Sequence, residues 1–520
     1  MEQRPNDNLQ AIISLANWSA AEFSQYSSSQ VRHIAETVSK AAAEKSAFYA
    51  EWAVRETGFG NVPDKTLKNQ VNVTAQLEQF DFDKYCGVTV DHEKQILNVA
   101  KPAGVVVALI PSTNPVATVY YKVLSALLTR NAVILCPHPG AKECCVHAAD
   151  FLAEVAEKAG APKGAIQTLR TPSVAKVGQL MESEDIDLIL ATGGPGMVRA
   201  AYSSGNPALG VGPGNVAAYV DQSANLDLAA QSLITSKSFD NSLLCTCESV
   251  VIAHESIGDA LAMKMHQIGG YHVAGAELDK LRNYLYPQGK LNPKAIGKDA
   301  QFIAREAGFS VPPSVKVLGV EIFRIAADEP FSKEKMFPVL AMIKVSNFDQ
   351  ALLTANAMLR LQGRGHSAVI HANDEQMISR WGIELPVCRI TVNGPGVFGA
   401  SGFATNLTPS PVIGTGFFGR SSISDNVGGK DLVQWTKVAW NRELTADTRN
   451  LEQQAKAIVS QTLNHELMAT GATGLGPSGQ AVHQKVPTQF ASPQRSDNDL
   501  QSLIKQLVQE ELKSILEAKR

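Results

Sequence analysis

Apolar positions change their spacing several times along the chain, and each change marks a different kind of element. From Leu9 to about Glu56 they recur at helical spacing, with Val31, Ile34 and Val38 on one stripe, which predicts a set of packed scaffold helices. After Ala103 the texture changes: GVVVALIP is a continuous apolar run closed by Pro111, the pattern of a strand buried on both faces. A helical segment from Val116 to Leu128 follows. Then come the strand NAVILCPHP, a helix over Lys142 to Ala159, and strands at Ala165 to Leu169 and Ile186 to Ala191. Strands alternating with helices in this way predict a parallel, doubly wound α/β sheet, whose ligands bind beyond the carboxyl ends of the strands. That rule puts Asn114, His138 and the glycines after Leu190 on one edge.

A second set of strands opens near Ser249 with VVIAH and continues through AMIKV, SAVIHA and RITVN, which predicts a second α/β domain. Beyond Arg442 the periodicity weakens. Thr470 to Ser492 is rich in Gly, Ser, Thr, Pro and Gln and reads as a flexible linker. In the last segment Leu503, Ile504, Leu507, Val508, Leu512, Ile515 and Leu516 share one helical face, and Asp497 or Asp499 can cap its start.

Composition narrows the partners. The 520 residues are 44% hydrophobic and 19% charged, enough to bury more than one core. With 47 Lys and Arg against 50 Asp and Glu, the chain has no long-range positive field for nucleic acid or an anionic membrane, so a small molecule is the expected partner. No leader pattern opens the sequence and no run of about 18 uncharged apolar residues occurs, which predicts a cytoplasmic protein. Seven cysteines, with Cys144 beside Cys145 and Cys245 two residues from Cys247, read as reduced thiols, one of them reactive. The Cys-x-Cys pair lacks a second Cys or His cluster at ligand spacing, which argues against a metal site.

The most informative stretch is SKSFDNSLLCTCESVVIAH. Its Phe239, Asp240, Asn241, Cys245 and Glu248 follow the pattern Phe-Asp-Asn, three residues, Cys, two residues, Glu. In this it resembles the active-site segment of CoA-acylating aldehyde dehydrogenases, including the aldehyde half of bifunctional aldehyde-alcohol dehydrogenases. From about Lys101 to Trp440 further motifs recur in that family's order: PSTNP, CPHPGAK, DLILATGGPGMVRAAYSSGNPALGVGPGN, EKMFPVLAMIKV and GHSAVIHAND. The resemblance implies an aldehyde dehydrogenase fold, with a Rossmann-like cofactor domain over 1–235 and an α/β catalytic domain over 236–424. An oligomerisation arm over 425–447 would pair subunits into a homodimer or tetramer. A tail and linker over 448–496 and an amphipathic helix over 497–520 complete the chain.

By the same resemblance Cys245 is the nucleophile; Cys247 in that role would break the spacing from Phe239. A free thiol has a pKa of about 8.5, so the site is expected to stabilise the thiolate by dipoles or a cation. Attack on an aldehyde makes a thiohemiacetal oxyanion, which the family holds with the side-chain amide of Asn114 and the backbone N–H of Cys245. Hydride transfer to NAD then leaves an acyl-enzyme thioester. Hydrolytic relatives activate water with a glutamate in a Glu-Leu-Gly-Gly-Lys-like motif. The matching stretch here, Val211 to Asn215, has valine at that place. CoA, a better nucleophile than water, needs no such base. A glutamate supplied from elsewhere would make the enzyme hydrolytic, and a non-catalytic shell-binding scaffold is a third reading.

The resemblance carries the cofactor site to Thr192, Gly193 and Gly194 in ATGGPGM, a loop between strand and helix where backbone N–H groups can meet a diphosphate. Glu334 in EKMFPV matches the glutamate at the nicotinamide ribose, and His138 in CPHP lies at the adenosine end. The lysine of many hydrolytic relatives is missing there, so NADP stays open beside NAD. His366 in GHSAVIH matches a family histidine near the active site, and Arg420 in GFFGRSS, where a glycine is expected, would suit an anionic aldehyde. The tail helix resembles the encapsulation peptides that direct enzymes into bacterial microcompartments, with shell or core proteins as partners. An oligomer-stabilising helix and a membrane-surface helix are the alternatives, the latter weakened by Glu510, Glu511 and Glu517. Enzymes of such compartments make acetaldehyde the first expected substrate and propionaldehyde the second.

Overall fold

The computed structural model describes residues 8–441, 450–455 and 457–458; the linker and tail helix expected beyond them lie outside the described residues. Four helices come first: α1 (Leu9–Phe23), α2 (Ser28–Glu44), α3 (Ser46–Thr57) and α4 (Val62–Glu78). Asn8, Ser27 and Asn61 cap α1, α2 and α4 by accepting backbone N–H groups, and Gly58 ends α3 in the left-handed conformation. The buried stripe of α2 contains Val31, Ile34 and Val38. That of α4 is different in kind: Lys65, Lys68, Asn69, Asn72, Val73 and Gln76 are buried, polar where a scaffold helix is apolar.

After the short α5 (Phe82–Tyr85), β1 (Val88–Asp91) and β2 (Ile96–Pro102) pair as an antiparallel hairpin. The chain then alternates through β3 (Val105–Ile110), α6 (Pro115–Leu128), β4 (Ala132–Pro137), α7 (Lys142–Lys158) and β5 (Ile166–Thr168). It continues through α8 (Val174–Glu182), β6 (Leu188–Ala191), α9 (Pro195–Tyr202) and β7 (Ala208–Gly210). These strands form a parallel sheet in the order β5-β4-β3-β6-β7. Both faces are covered, as the unbroken apolar run of β3 requires. Val106, Ala108 and Ile110 pack with residues of α2, α6 and α7, while Val105, Val107 and Leu109 pack with residues of α1 and α8. The strand order reverses between β3 and β6, so the loops that carry Asn114 and Thr192 flank the switch point where such sheets bind ligands.

Next come β8 (Val216–Val220), α10 (Leu226–Ser238), β9 (Glu248–His254), β10 (Gly270–Val273), β11 (Val317–Glu321), β12 (Val339–Val345), β13 (Ala368–His371) and β14 (Ile390–Val392). Their parallel sheet runs β10-β11-β12-β9-β8-β13-β14. The chain therefore changes sheets between Gly210 and Val216, ahead of the boundary drawn near Thr235. An apolar strand such as β8 fits the middle of either sheet, and only its pairing with β9 and β13 assigns it. Finally β15 (Val433–Ala439) returns antiparallel along β2 and completes a three-stranded sheet. Among the described residues no helix is long and apolar enough to cross a membrane.

Candidate active site

The segment that carries Cys245 leaves α10 through three successive left-handed residues, Asp240 (φ 45°), Asn241 (φ 54°) and Ser242 (φ 64°). Non-glycine residues there cost roughly 1–3 kcal/mol each, so distant partners must hold them. The Asp240 N–H donates to Asp64 Oδ2 at 2.7 Å, and Asp240 Oδ1 accepts the Asn61 N–H at 2.9 Å. Asp240 Oδ2 takes the ammonium of Lys65 at 3.0 Å and that of Lys68 as well. Asn241 Nδ2 donates to the Gly297 carbonyl at 2.8 Å, and Ser242 Oγ to the Lys335 carbonyl at 3.3 Å. The turn so fixed sets Cys245 just ahead of β9.

Cys245 is half-buried and shares a cavity with Asn114, together with Lys68, Ser401, Phe403 and Ile413. Cys247 is 5% exposed and packs with Phe239 and Val397 instead. The geometry thus separates the two cysteines: one faces the cavity, the other fills a core. A larger hollow, lined by Met265, Tyr271, His272 and Met342, lies against the second sheet and holds none of the expected site residues, so chemistry rather than size identifies the site. Asn114 occupies the N-cap position of α6 yet makes no side-chain cap bond. Its Oδ1 accepts from Lys68 Nζ, and its Nδ2 donates to Thr113 Oγ1 at 3.3 Å.

Charge around the thiol works in both directions. Burial pushes the Cys245 thiol up to about 12, and the nearby Glu334 carboxylate and Cys247 add to that rise. The Arg389 guanidinium and the backbone N–H of Cys245 oppose it. The cation expected beside the nucleophile is therefore present in Arg389, but burial outweighs it. Arg389 also donates to the His366 carbonyl at 2.9 Å. His366 is fully buried, its Nδ1 pairs with Ser367 Oγ at 2.9 Å, and burial with the Arg389 charge drives its pKa down to about 3. Among the described residues its Nε2 has no hydrogen-bond partner, and it is not among the residues lining the Cys245 cavity. Burial raises Glu334 to about 7, opposed by the Gly214 N–H, which donates to Glu334 Oε1 at 3.2 Å. Gln362 Nε2 donates to its other oxygen at 3.1 Å, so Glu334 is a held group and not a solvated charge.

The loop before β8 lies against Cys245. A Cβ at Gly214 would stand 2.0 Å from the Cys245 carbonyl oxygen, which only glycine avoids. Val211, at the start of this loop, is buried in the first sheet's core. The cofactor loop also fits its expected ligand. Gly193 and Gly194 are exposed, Gly194 is the N-cap of α9 with open space where a Cβ would be, and the buried Thr192 Oγ1 has no partner among the described residues. Open glycines at a helix N-terminus beside an unsatisfied hydroxyl suit a diphosphate. His138 is exposed at the end of β4, where its Nδ1 accepts the Gly140 N–H at 3.0 Å. Arg420 is exposed and left-handed, φ 59°. Sequence reasoning missed Lys65, Lys68 and Arg389; the polar buried stripe of α4 was the available signal for the two lysines.

The aldehyde dehydrogenase family model matches residues 2–280. An aldehyde-alcohol dehydrogenase of Clostridium acetobutylicum is 40% identical over 81% of this chain and 49% of its own length. The chain thus spans about half the length of that curated relative. The crystal structure of an acetylating aldehyde dehydrogenase from Geobacillus thermoglucosidasius is 39% identical, with a TM-score of 0.82 over 86% of this chain and 100% of that one. A propionaldehyde dehydrogenase from the fucose utilisation bacterial microcompartment of Clostridium phytofermentans is 27% identical, with a TM-score of 0.75 over 84% and 98%. With the Cys245 segment, two parallel sheets and these likenesses in agreement, the chain belongs to the aldehyde dehydrogenase family.

Proposed function

We propose that this chain oxidises a short aldehyde to its acyl-CoA with NAD, acetaldehyde first and propionaldehyde second. The observation that carries this reading is the meeting of Cys245 and Asn114 in one cavity, while the stretch where a hydrolytic glutamate would stand presents Val211. The Cys245 thiolate attacks the carbonyl carbon, and the carbonyl electron pair moves to oxygen, where the Asn114 amide and the Cys245 N–H hold it. Thr192, Gly193 and Gly194 would hold the diphosphate of NAD, with Glu334 toward its ribose and His138 toward its adenosine end, and the bound NAD would accept the hydride leaving that carbon. The oxyanion collapses to a carbonyl and leaves a thioester on Cys245. The CoA thiol then attacks that thioester, and the Cys245 sulfur leaves as the thiolate that starts the next cycle. The CoA thiol proton passes to water; His366, fully buried outside the Cys245 cavity and with its pKa lowered to about 3 by burial and the Arg389 charge, takes no part in that transfer.

The proposal extends to place and assembly: a homodimer or tetramer paired through the arm at 425–447, working in the lumen of a bacterial microcompartment that segment 497–520 addresses. Support comes from the apolar stripe of that segment and from the microcompartment origin of a solved relative. A panel of aldehydes with NAD and CoA tests the substrate. Acetaldehyde is expected to give the highest kcat/KM, and an anionic aldehyde above it would overturn the choice. Deleting 497–520 should leave that activity intact and end co-sedimentation with compartment shells. Loss of activity together with oligomeric state would make the segment part of the assembly instead.

A further inference from the structure

We propose that Lys68 is a positioning residue for the oxyanion site: its ammonium fixes the Asn114 amide so that the N–H2 end, and not the oxygen, serves the reacting centre. The inference rests on the reading of Asn114 as an oxyanion donor and adds what holds that donor in place. Lys68 is 5% exposed and lines the same cavity as Asn114 and Cys245. Its Nζ donates to both Asn114 Oδ1 and Asp240 Oδ2.

An ammonium carries three donors and no acceptor, so it selects one orientation of an amide. The oxygen turns toward Lys68, whichever way the two amide atoms are first assigned. Nδ2 then carries two hydrogens, of which Thr113 Oγ1 takes one at 3.3 Å. The second is the one a substrate oxyanion can use. A flipped amide would set N–H against the ammonium and Oδ1 against the developing negative charge, which is unfavourable twice over. As the α6 N-cap, Asn114 could bond its own helix backbone, but it makes no such bond, and Lys68 accounts for its orientation.

The same cluster reaches both sides of the bond that forms. Lys65, one turn earlier on α4, donates to the Thr113 carbonyl at 3.1 Å and to Asp240 at 3.0 Å. Asp240 is fully buried and lies in the strained turn that delivers Cys245. One helix thus ties the loop of the oxyanion donor to the loop of the nucleophile through a carboxylate shared by two lysines. This accounts for the burial of Lys65 and Lys68, which would otherwise cost stability.

A double-mutant cycle reads this arrangement directly. Lys68→Met should lower the single-turnover rate of NADH formation by roughly 10–100-fold, the usual effect of removing a partner that orients a reacting group. The apparent KM for NAD should stay within about threefold, because the interaction acts in the transition state. Lys68→Met combined with Asn114→Ala should be no slower than Asn114→Ala alone, within about threefold, since the lysine acts through that amide. Losses that multiply, or a folded Lys68→Met enzyme of full rate, would overturn the proposal. If Asn114→Ala itself kept its rate, the oxyanion reading would fail on its own, separately from the role of Lys68. Should Lys68→Met not fold, Asn114→Asp decides. Its carboxylate would meet the Lys68 ammonium, so the variant should melt at or above the parent temperature while losing the N–H donor and its turnover. A clear drop in melting temperature would show that Lys68 does not hold that oxygen.

Discussion

Cys245→Ala abolishes NADH formation, and Cys247→Ala keeps most of it: this is the largest effect expected from any single change in the protein. Both thiols are pushed up to about 12 by burial, so protonation does not separate them. Position does. Cys245 opens on the cavity that holds Asn114, whereas Cys247 packs behind it with Phe239 and Val397. A raised thiol also gives a pH signature. Below its pKa the thiolate fraction grows about tenfold per pH unit, so alkylation of Cys245 by iodoacetamide in the ligand-free enzyme should climb in that proportion from pH 7 to 9. A plateau near pH 7 would mean that Arg389 outweighs burial. Retained NADH formation in Cys245→Ala would move the nucleophile elsewhere.

Asn114→Ala comes second, with an expected loss of roughly 100-fold or more in turnover and little change in NAD affinity. An oxyanion donor acts only once charge has developed, so its removal lowers kcat and kcat/KM together. The structure adds a reason for the effect to be large. The amide oxygen is already committed to Lys68, which leaves the N–H2 end oriented before substrate arrives. A pure rise in the apparent KM for aldehyde, with kcat unchanged, would make Asn114 a binding residue instead.

What the sequence made legible follows from how local each signal is. Val105–Ile110, Ala132–Pro137 and Leu188–Ala191 are unbroken apolar runs, and a strand buried on both faces has no other pattern, so the first sheet could be read directly. The strand Val216–Val220 has the same pattern, but its sheet is set by pairing with Glu248–His254, which no local rule specifies. The hairpin Val88–Pro102 and its partner Val433–Ala439 were not read as strands, since their half-buried positions lack a clean apolar face. At the site, the spacing from Phe239 through Cys245 to Glu248 is local and was legible. The lysine cluster was not, because Lys68 meets Asp240 across 172 residues of chain. Polar residues at helical spacing, Lys65, Lys68, Asn69, Asn72 and Gln76, were a signal in the sequence that went unread; that this face is buried is seen only in the structure.

The central claim is that CoA, and not water, receives the acyl group from Cys245. It is tested most directly by counting NADH formed from saturating acetaldehyde and NAD with CoA withheld. Val211 offers no base to activate water, and the thioester should therefore wait on the enzyme. The account predicts at most one NADH per active site, followed by steady turnover and acetyl-CoA when CoA is added. Sustained NADH formation without CoA, with acetate accumulating in step, would contradict it.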